Sequence, residues 1–206
     1  MTTDCHTHDL RRRDAIVCVE PSAFSPQPGI AYSIGIHPWH TEGKTDFSLL
    51  ESACRHKQVV AIGETGIDRL HGADAETQEQ TFIEHIRISE ALSKPLIIHA
   101  VRSADRILAL HKALRPQTAW IWHGFRGNAA LMRQLTGKGI MLSIGEHFNA
   151  NAVAAIPDSM LLIETDESTL SISDIAARIA ATRHTSAKEI ITLCSRNLTA
   201  KIGQMP

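Results

Sequence analysis

Long apolar runs are missing from this 206-residue sequence. None approaches the roughly 18 residues that a helix needs to cross a bilayer, and even the run from Pro95 to Ile98 meets His99 at once. The amino terminus carries Asp4 and His6 instead of a cationic and apolar leader, so we expect no signal peptide. The four cysteines include no Cys-X-X-Cys pair, which fits neither a disulfide framework nor a zinc site built from thiolates. We therefore expect a cytoplasmic protein without a membrane partner.

An excess of either charge is also missing: 21 lysines and arginines face 22 acidic residues, for a formal net charge of -1. Proteins that coat nucleic acid or anionic lipid by bulk charge carry a large positive excess, so we expect any phosphate binding to be local. Aromatic residues make up only 4% of the chain, with a single tyrosine, yet there are 12 histidines. The positions of these histidines are the main indication of function.

Short apolar, β-branched runs alternate with longer segments of helical periodicity, a pattern typical of a parallel sheet with crossover helices. Eight strands are predicted, at residues 3–8, 15–20, 31–36, 58–64, 95–99, 118–123, 139–145 and 160–166. Six helices are predicted, at residues 46–56, 74–93, 104–114, 129–137, 171–182 and 186–202. Eight strands favour a closed (β/α)8 TIM-type barrel over an open sheet, formed by one domain over residues 1–206.

The first two crossovers of this barrel are unusual. Only a few residues around Arg11 to Arg13 separate the first two strands, and the segment 21–29 before the third strand is rich in proline and serine. Neither segment can form a full helix. We predict a barrel whose first two crossover helices are reduced or missing. Strands one to three then face solvent or a partner subunit, so a dimer is one expected state.

Residues that commonly bind metals stand at the ends of five predicted strands. His6 and His8 are two residues apart, so on an extended chain both imidazoles point to the same side. The other four candidates end strands four, five, six and eight, and they are Glu64, His99, His123 and Asp166. Because parallel barrel strands share one direction, their carboxyl ends surround a single basin.

Four histidines and two carboxylates exceed the ligands of one tetrahedral zinc site. We interpret them as the ligands of two divalent ions bridged by a carboxylate. Four imidazoles favour zinc, manganese or a related transition ion over magnesium alone. The alternative is that each residue is separately a core histidine or an ion-paired carboxylate. That alternative requires six such groups to end barrel strands by coincidence, whereas bound metal provides a partner for all of them.

Two further histidines, His37 and His40, follow the third predicted strand at the same mouth of the barrel. They either contact the substrate or a bridging water, or pack on Trp39 between them. Both interpretations fit the sequence.

Arginines also follow the ligand-bearing strands. Arg102 and Arg126 each lie three residues beyond a candidate ligand, and Arg11 to Arg13 and Arg69 lie near others. Guanidinium groups beside a metal pair suit a phosphate-bearing substrate, because they hold the oxygens that the ions leave free. Ordinary solvated surface charge is the alternative explanation for these arginines.

Six motifs, in order, resemble those of the TatD family of metal-dependent deoxyribonucleases, and the resemblance covers residues 4 to about 202. The motifs are Asp4-Cys5-His6-Thr7-His8, Gly35-Ile36-His37-Pro38, Gly63-Glu64-Thr65-Gly66-Ile67-Asp68, Ile98-His99, His123-Gly124-Phe125-Arg126-Gly127 and Glu164-Thr165-Asp166. The resemblance implies an amidohydrolase-like barrel that hydrolyses DNA phosphodiesters. It also implies the roles of six residues: His6, His8 and Asp166 at one ion, His99 and His123 at the other, and Glu64 as the bridge.

The sequence departs from the family pattern in two places. After Glu-Thr-Asp the family continues with a small residue, a proline and a long loop, whereas this chain has Glu167 and Ser168 and soon enters a predicted helix. After Gly-Ile-Asp the family tends to carry aromatic residues, whereas this chain has Arg69 and Leu70. We therefore expect fewer loop contacts and less base stacking than in the family.

Together these features predict a metal-dependent hydrolase of ester bonds, specifically a deoxyribonuclease that uses a metal-activated water. Glu64 and Asp166 are the predicted catalytic residues, and His37, Arg102 and Arg126 are the predicted substrate contacts.

Two alternatives keep the same basin. One is a hydrolase of a small ester, amide or phosphomonoester, since the barrel alone fits many chemistries. Many dinuclear amidohydrolases carry a carboxylated lysine at strand four, whereas this strand ends in Glu64, which favours the phosphodiesterase. The other alternative is a catalytically silent metal-binding or interaction protein.

Overall fold

A closed barrel of eight parallel strands, paired in chain order, forms the centre of the computed structural model, which describes residues 3–43 and 45–203. The strands are β1 Asp4–Thr7, β2 Ala15–Val19, β3 Ala31–Ile34, β4 Val59–Asp68, β5 Leu96–Val101, β6 Trp120–Trp122, β7 Met141–Ile144 and β8 Leu161–Ile163. The α-helices are α1 Phe47–Cys54, α2 Ala75–Leu92, α3 Ala104–Leu114, α4 Ala129–Thr136, α5 Ala150–Ala155, α6 Ile172–Arg183 and α7 Ala187–Ile202. The predicted (β/α)8 barrel is confirmed.

The first two crossovers lack an α-helix, as predicted. Residues 8–14 between β1 and β2 are not helical, and the connection from β2 to β3 contains only the 3₁₀ turn Pro21–Ala23. Phe24 from this connection packs edge-on against Tyr32, with ring centroids 5.3 Å apart. Val17 on β2 is fully buried, so the loop covers part of the barrel that a helix covers elsewhere.

Side-chain caps fix where the helices begin. Asp74 accepts hydrogen bonds from the backbone N–H groups of Glu76 and Thr77 at the start of α2, and Asn128 caps α4 in the same way. Helices α6 and α7 both begin with a capping box, in which Ser171 and Ser186 are the N-cap residues. These caps satisfy backbone donors that the first turn leaves free.

The barrel interior has an apolar layer and, above it, a polar layer. The apolar layer takes buried side chains from all eight strands: Cys5, Ile16, Ala31, Ala61, Ile97, Ile121, Met141 and Leu162. Side chains along a strand point alternately inward and outward, so the next inward position lies two residues further on, closer to the carboxyl end of the strand. These positions are polar or sulfur-containing: Cys18, Ser33, His99, His123, Ser143 and Glu164. The functional groups therefore rest on a packed hydrophobic floor.

Glu64 enters the basin through an irregularity in β4. Ile62 pairs with Leu96 and Thr65 pairs with Ile98. Between these pairs β4 advances three residues while β5 advances two, so β4 has one extra residue. Gly63 and Gly66 flank Glu64 with φ angles of +126° and +147°, a region that side chains with a Cβ disfavour. A Cβ at either glycine would also collide with the backbone carbonyl of Ile97 or His99 on β5. The glycines let β4 bulge and turn Glu64 inward.

Two element predictions were wrong. The fourth strand was predicted to end at Glu64, but β4 continues to Asp68, because its backbone stays paired with β5 as far as Asp68 opposite Val101. Helix α5 was not predicted at all, since it has only six residues and is capped by Asn149. Among the described helices, none combines the length and the apolar character of a membrane span.

Candidate metal centre

All six predicted ligands meet at the carboxyl ends of the strands. His6 lies in β1, Glu64 in β4 and His99 in β5, whereas His8, His123 and Asp166 follow β1, β6 and β8 directly or within three residues. Three groups of residues there place their ligand atoms within 4.8 Å of one another. The groups are His6, His8, Cys18 and Glu64; His6, His123 and Asp166; and His37, Glu64 and His99.

The Glu64 carboxylate stands between two sets of imidazoles. Its Oε2 atom lies 3.1 Å from His6 Nε2 and 3.3 Å from His8 Nε2. Its Oε1 atom lies 2.6 Å from His99 Nδ1 and 2.7 Å from His123 Nε2. Glu64 is only 3% exposed, so these nitrogens replace water around the carboxylate. Each oxygen therefore faces one half of the basin.

His99 and His123 are each held from behind by a carboxylate. His99 Nε2 lies 3.3 Å from Asp68 Oδ2, and His123 Nδ1 lies 3.3 Å from Glu164 Oε1. Both carboxylates are buried. This arrangement matches the carboxylate–histidine–metal pairs that orient ligating imidazoles in metalloproteins. Sequence reasoning quoted Asp68 and Glu164 only as parts of motifs and did not predict this role.

The tautomers of these histidines indicate what the basin can bind. An ionised carboxylate only accepts hydrogen bonds, so the outer nitrogens of His99 and His123 carry the protons. Their inner nitrogens, 3.3 Å apart, then both present lone pairs toward the Glu64 carboxylate. Both ring nitrogens of His6 are buried and form no hydrogen bond. Imidazole lone pairs gathered around a carboxylate fit divalent cations, which bind both kinds of ligand together.

The pKa shifts of Glu64 and His123 also indicate a site for positive charge. Burial alone would raise the pKa of Glu64, but the imidazoles of His123 and His6 hold that pKa well below its ordinary value. Burial alone would lower the pKa of His123, but Glu64 and Glu164 raise it well above its ordinary value. The basin therefore favours positive charge beside Glu64, whether as a proton on imidazole or as a metal ion.

Asp166 completes the rim next to His6 and His8. Its Oδ1 atom lies 3.7 Å from both His6 Nε2 and His8 Nε2. Its backbone N–H donates to His6 O at 2.9 Å, and its carbonyl accepts from Thr7 Oγ1 at 3.2 Å. With 31% of its side chain exposed, Asp166 is held firmly by its backbone while its carboxylate stays open to the cleft.

The two histidines after β3 have different environments. His37 Nε2 lies 3.2 Å from Glu64 Oε1, whereas His40 Nδ1 lies 2.6 Å from Glu20 Oε1 at the surface. His37 Nδ1 accepts the backbone N–H of Trp39 at 3.2 Å, so in the neutral ring the proton sits on Nε2. His37 therefore presents an N–H donor to the basin. Both histidines line the cleft beside Glu64, and of the two only His37 contacts the Glu64 carboxylate; contact with substrate stays a prediction.

Arg102 and Arg126 line one cleft of about 640 Å³ together with His99, His123 and Asp166. Both arginines are exposed, and neither guanidinium has an ion pair or hydrogen bond with the described residues. The other candidate arginines are engaged: Arg69 donates to Asp105 at 2.8 Å, and the guanidinium groups of Arg11 to Arg13 bind Asp9, Asp14 and Pro28. Of these candidate arginines, only Arg102 and Arg126 leave their guanidinium groups free of partners among the described residues.

A second cleft of about 400 Å³ meets the first at the centre. It is lined by His8, Cys18, His37, Trp39 and Glu64, among other residues. Trp39 is 47% exposed, and its ring centroid lies 6.1 Å from that of His99. An elongated ligand can therefore extend from the arginines, across the ligand cluster, to the indole of Trp39.

The barrel and its basin define a TIM-barrel protein with a candidate metal centre at the carboxyl ends of the strands, and comparisons with known proteins agree. The sequence profile of the family described as TatD related DNase matches residues 22–201. The chain belongs to this family.

Individual relatives support the assignment. The chain is 35% identical over 150 residues to the uncharacterized metal-dependent hydrolase TatD of Mycobacterium tuberculosis, covering 65% of this chain and 56% of that protein. It is 29% identical over 155 residues to deoxyribonuclease Tat-D of Schizosaccharomyces pombe, covering 65% of this chain and 50% of that protein. The aligned part of the chain thus spans about half the length of these curated relatives.

Solved structures share the fold. The TatD homologue YjjV of Escherichia coli superposes with a TM-score of 0.85 at 20% identity, covering 99% of this chain and 98% of that chain. A hydrolase of the TatD family from Entamoeba histolytica superposes with a TM-score of 0.76 at 20% identity, covering 92% of this chain and 84% of that chain. At these identities the likeness concerns the barrel alone.

Proposed function

We propose that this chain is a deoxyribonuclease that hydrolyses phosphodiester bonds with two divalent metal ions. The observation that carries the proposal is the position of Glu64, whose two carboxylate oxygens each face a different pair of histidines. A family member named as a deoxyribonuclease supports the choice of substrate. The four cysteines are all free and buried, which fits the reducing cytoplasm in which we place this activity.

His6, His8 and Asp166 would hold one ion and His99 and His123 the other, with Glu64 shared between them. When bound, such ions supply Lewis-acid activation of a water molecule and of the attacked phosphate. The imidazole-rich donor set favours zinc or manganese over magnesium. Asp68 and Glu164 would keep the imidazoles of His99 and His123 aligned for this task.

Asp166 is the residue we assign to the proton transfer. Its carboxylate is the most exposed acidic group of the centre, and its backbone bonds to β1 fix its direction. In this position Asp166 orients the attacking water and accepts its proton. Glu64 is too enclosed for that role, because imidazole nitrogens surround both of its oxygens.

Arg102, Arg126 and His37 are the residues we assign to the phosphate. The two free guanidinium groups can hold non-bridging oxygens in the larger cleft. His37 offers an N–H donor on the opposite side of the cluster. Trp39 then stands where a neighbouring base can stack on its exposed indole face. We expected less base stacking because Arg69 and Leu70 stand where the family tends to carry aromatic residues. In this proposal Trp39 provides an aromatic face instead.

The test is an activity assay on protein stripped of metal and then reconstituted separately with zinc, manganese and magnesium. Labelled single-stranded and duplex oligonucleotides are compared with a panel of small esters, amides and phosphomonoesters. We expect metal-dependent cleavage of the oligonucleotides, which Glu64→Ala and Asp166→Ala abolish while the circular dichroism spectrum is kept. Asp158→Asn, on a surface carboxylate that is paired with Arg183 and lines neither cleft, is the matched control and should retain activity.

The other outcomes of this assay would support a different function or contradict the proposed centre. Turnover of a small substrate without oligonucleotide cleavage would assign the alternative hydrolase function. Metal-loaded protein that is inert on every substrate would support the silent metal-binding alternative. Full activity in Glu64→Ala or Asp166→Ala would contradict the proposed centre itself.

A further inference from the structure

Cys18 lies inside the candidate metal centre, although neither the sequence motifs nor the proposed mechanism uses it. It belongs to β2, is 8% exposed, and stands two residues beyond Ile16 of the apolar layer. Its sulfur belongs to the group whose ligand atoms all lie within 4.8 Å of one another, together with His6, His8 and Glu64. Of the four cysteines, the other three belong to none of these groups among the described residues.

The direction of the Cys18 side chain is fixed by a contact across the barrel. The backbone N–H of Glu64 donates to Cys18 Sγ at 3.3 Å. Strands β2 and β4 are separated by β3, so this contact requires the sulfur to point into the interior.

A second observation, independent of the cysteine, indicates a cation at this place. His6 is fully buried, and neither of its ring nitrogens forms a hydrogen bond. Its Nε2 atom lies 3.1 Å from Glu64 Oε2, which lies 3.3 Å from His8 Nε2, and Cys18 belongs to the same group of potential ligands. Two imidazoles, one carboxylate and one sulfur are a donor set typical of zinc.

We infer that Cys18 is an additional ligand of the ion held by His6 and His8, and that its sulfur makes this half of the centre selective for thiophilic cations. The inference rests on the proposed metal centre and adds a residue and a selectivity to it. The thiol proton leaves to solvent as the sulfur binds the ion. Soft sulfur donors favour zinc and cadmium over manganese and magnesium. Among the described residues, no cysteine joins the groups that contain His99 or His123, so that half of the centre stays open to harder ions.

Cobalt substitution provides the direct test. The full chain is stripped of metal, loaded with Co²⁺, and examined by near-ultraviolet absorption, where a thiolate ligand produces a sulfur-to-cobalt charge-transfer band. We expect the band in the wild type, its loss in Cys18→Ser, and its retention in Cys54→Ser. The serine hydroxyl can still accept the Glu64 N–H, so Cys18→Ser keeps the backbone contact. Cys54 is a matched control because it is buried on α1 and donates to Ile34 O.

Competition between ions gives a second readout. We expect the wild type to prefer Cd²⁺ over Mn²⁺ at this half of the centre by about tenfold or more relative to Cys18→Ser, the scale on which single groups around a metal alter affinity. Cys18→Ala, which removes the donor without adding a hydroxyl, should give the same loss. Thermal melting of the metal-free variants checks that each one folds.

The outcomes separate this inference from the proposed function. Two bound cobalt ions without a charge-transfer band, or a band that survives in Cys18→Ser, would overturn the role of Cys18 and leave the centre intact. Failure of the wild type to bind cobalt at all would overturn both. A lost band together with unchanged cobalt stoichiometry in Cys18→Ser would support the inference most strongly.

Discussion

Asp68 lies directly behind His99, with its Oδ2 atom 3.3 Å from His99 Nε2, on the side of the imidazole that faces away from Glu64. The same oxygen accepts a hydrogen bond from Trp39 Nε1 at 2.6 Å, and Oδ1 accepts from Leu70 N at 2.8 Å. Asp68 thus couples the orientation of a candidate ligand to the position of an exposed indole at the rim.

Asp68→Asn tests this coupling. The amide oxygen can still accept from Trp39 and His99, but the NH2 group cannot accept from Leu70 N and the negative charge is lost. His99 therefore becomes a weaker and less well oriented ligand. We expect the affinity of the His99 and His123 half to fall about 10- to 100-fold. Isothermal titration with zinc or manganese measures it, and Asp158→Asn, on a carboxylate away from the centre, serves as the control. An unchanged affinity would mean that Asp68 supports the loop and not the metal.

Arg102→Gln and Arg126→Gln address the substrate cleft. Each substitution removes one free cation at the basin, so we expect the KM for an oligonucleotide to rise while kcat changes less. The slope of log KM against log salt should fall by about one for each arginine. Arg106→Gln is the matched control, because Arg106 is paired with Glu79 on the outer surface. Equal effects of all three substitutions would indicate general surface charge and contradict a phosphate site.

Trp39 is predicted to stack on a base of the substrate. Trp39→Ala should raise the KM for oligonucleotides by about tenfold, given the usual range for the loss of one base–aromatic contact. Trp39→Phe keeps an aromatic face but loses the bond to Asp68, and should restore most of the affinity for the oligonucleotide. Hydrolysis of a small phosphodiester without a base should be insensitive to both variants, and a loss there would point to the metal centre instead.

The sequence predicted the barrel and the ligand cluster for a shared physical reason. Apolar runs mark the strands, and a ligand residue that interrupts such a run near its end must point into the basin. The sequence did not reveal the full length of β4, because Gly63 and Gly66 beside polar residues resemble a loop. We predicted His37 and not His40 as a substrate contact, but the sequence offered no physical reason for their different environments. That difference depends on the 3₁₀ turn Pro38–His40, which directs His37 inward and His40 toward Glu20.

The sequence also did not predict that Asp68 and Glu164 orient His99 and His123. Each lies in a motif with a candidate ligand, Glu64 or Asp166, yet each contacts an imidazole from a different strand. Contacts across a closed barrel depend on register, which the spacing along one strand does not contain.

His85 makes the stability of the fold sensitive to pH. It is fully buried on α2, accepts the backbone N–H of Ile36 at Nε2 (2.9 Å), and donates from Nδ1 to Thr81 O (2.7 Å). Burial lowers its pKa from the ordinary 6.5 to about 4. Between these values the unfolded chain binds a proton that the folded chain does not, so stability decreases as the pH falls through this window. The shift corresponds to about 3 kcal/mol.

Urea unfolding near neutral pH and at about pH 4 measures this contribution. We expect His85→Gln, which can keep both hydrogen bonds, to be less destabilised by acid than the wild type. The exposed His147 provides the control substitution, His147→Gln, which should show the acid sensitivity of the wild type. Identical pH dependence in all three proteins would contradict a neutral buried His85.

The most direct measurement of the central claim is the anomalous diffraction of a crystal of the chain loaded with zinc or manganese. We predict two ions on opposite sides of the Glu64 carboxylate, one contacted by His6, His8 and Asp166 and the other by His99 and His123. A crystal that shows these side chains paired only with one another, with no ion beside Glu64, would contradict the account.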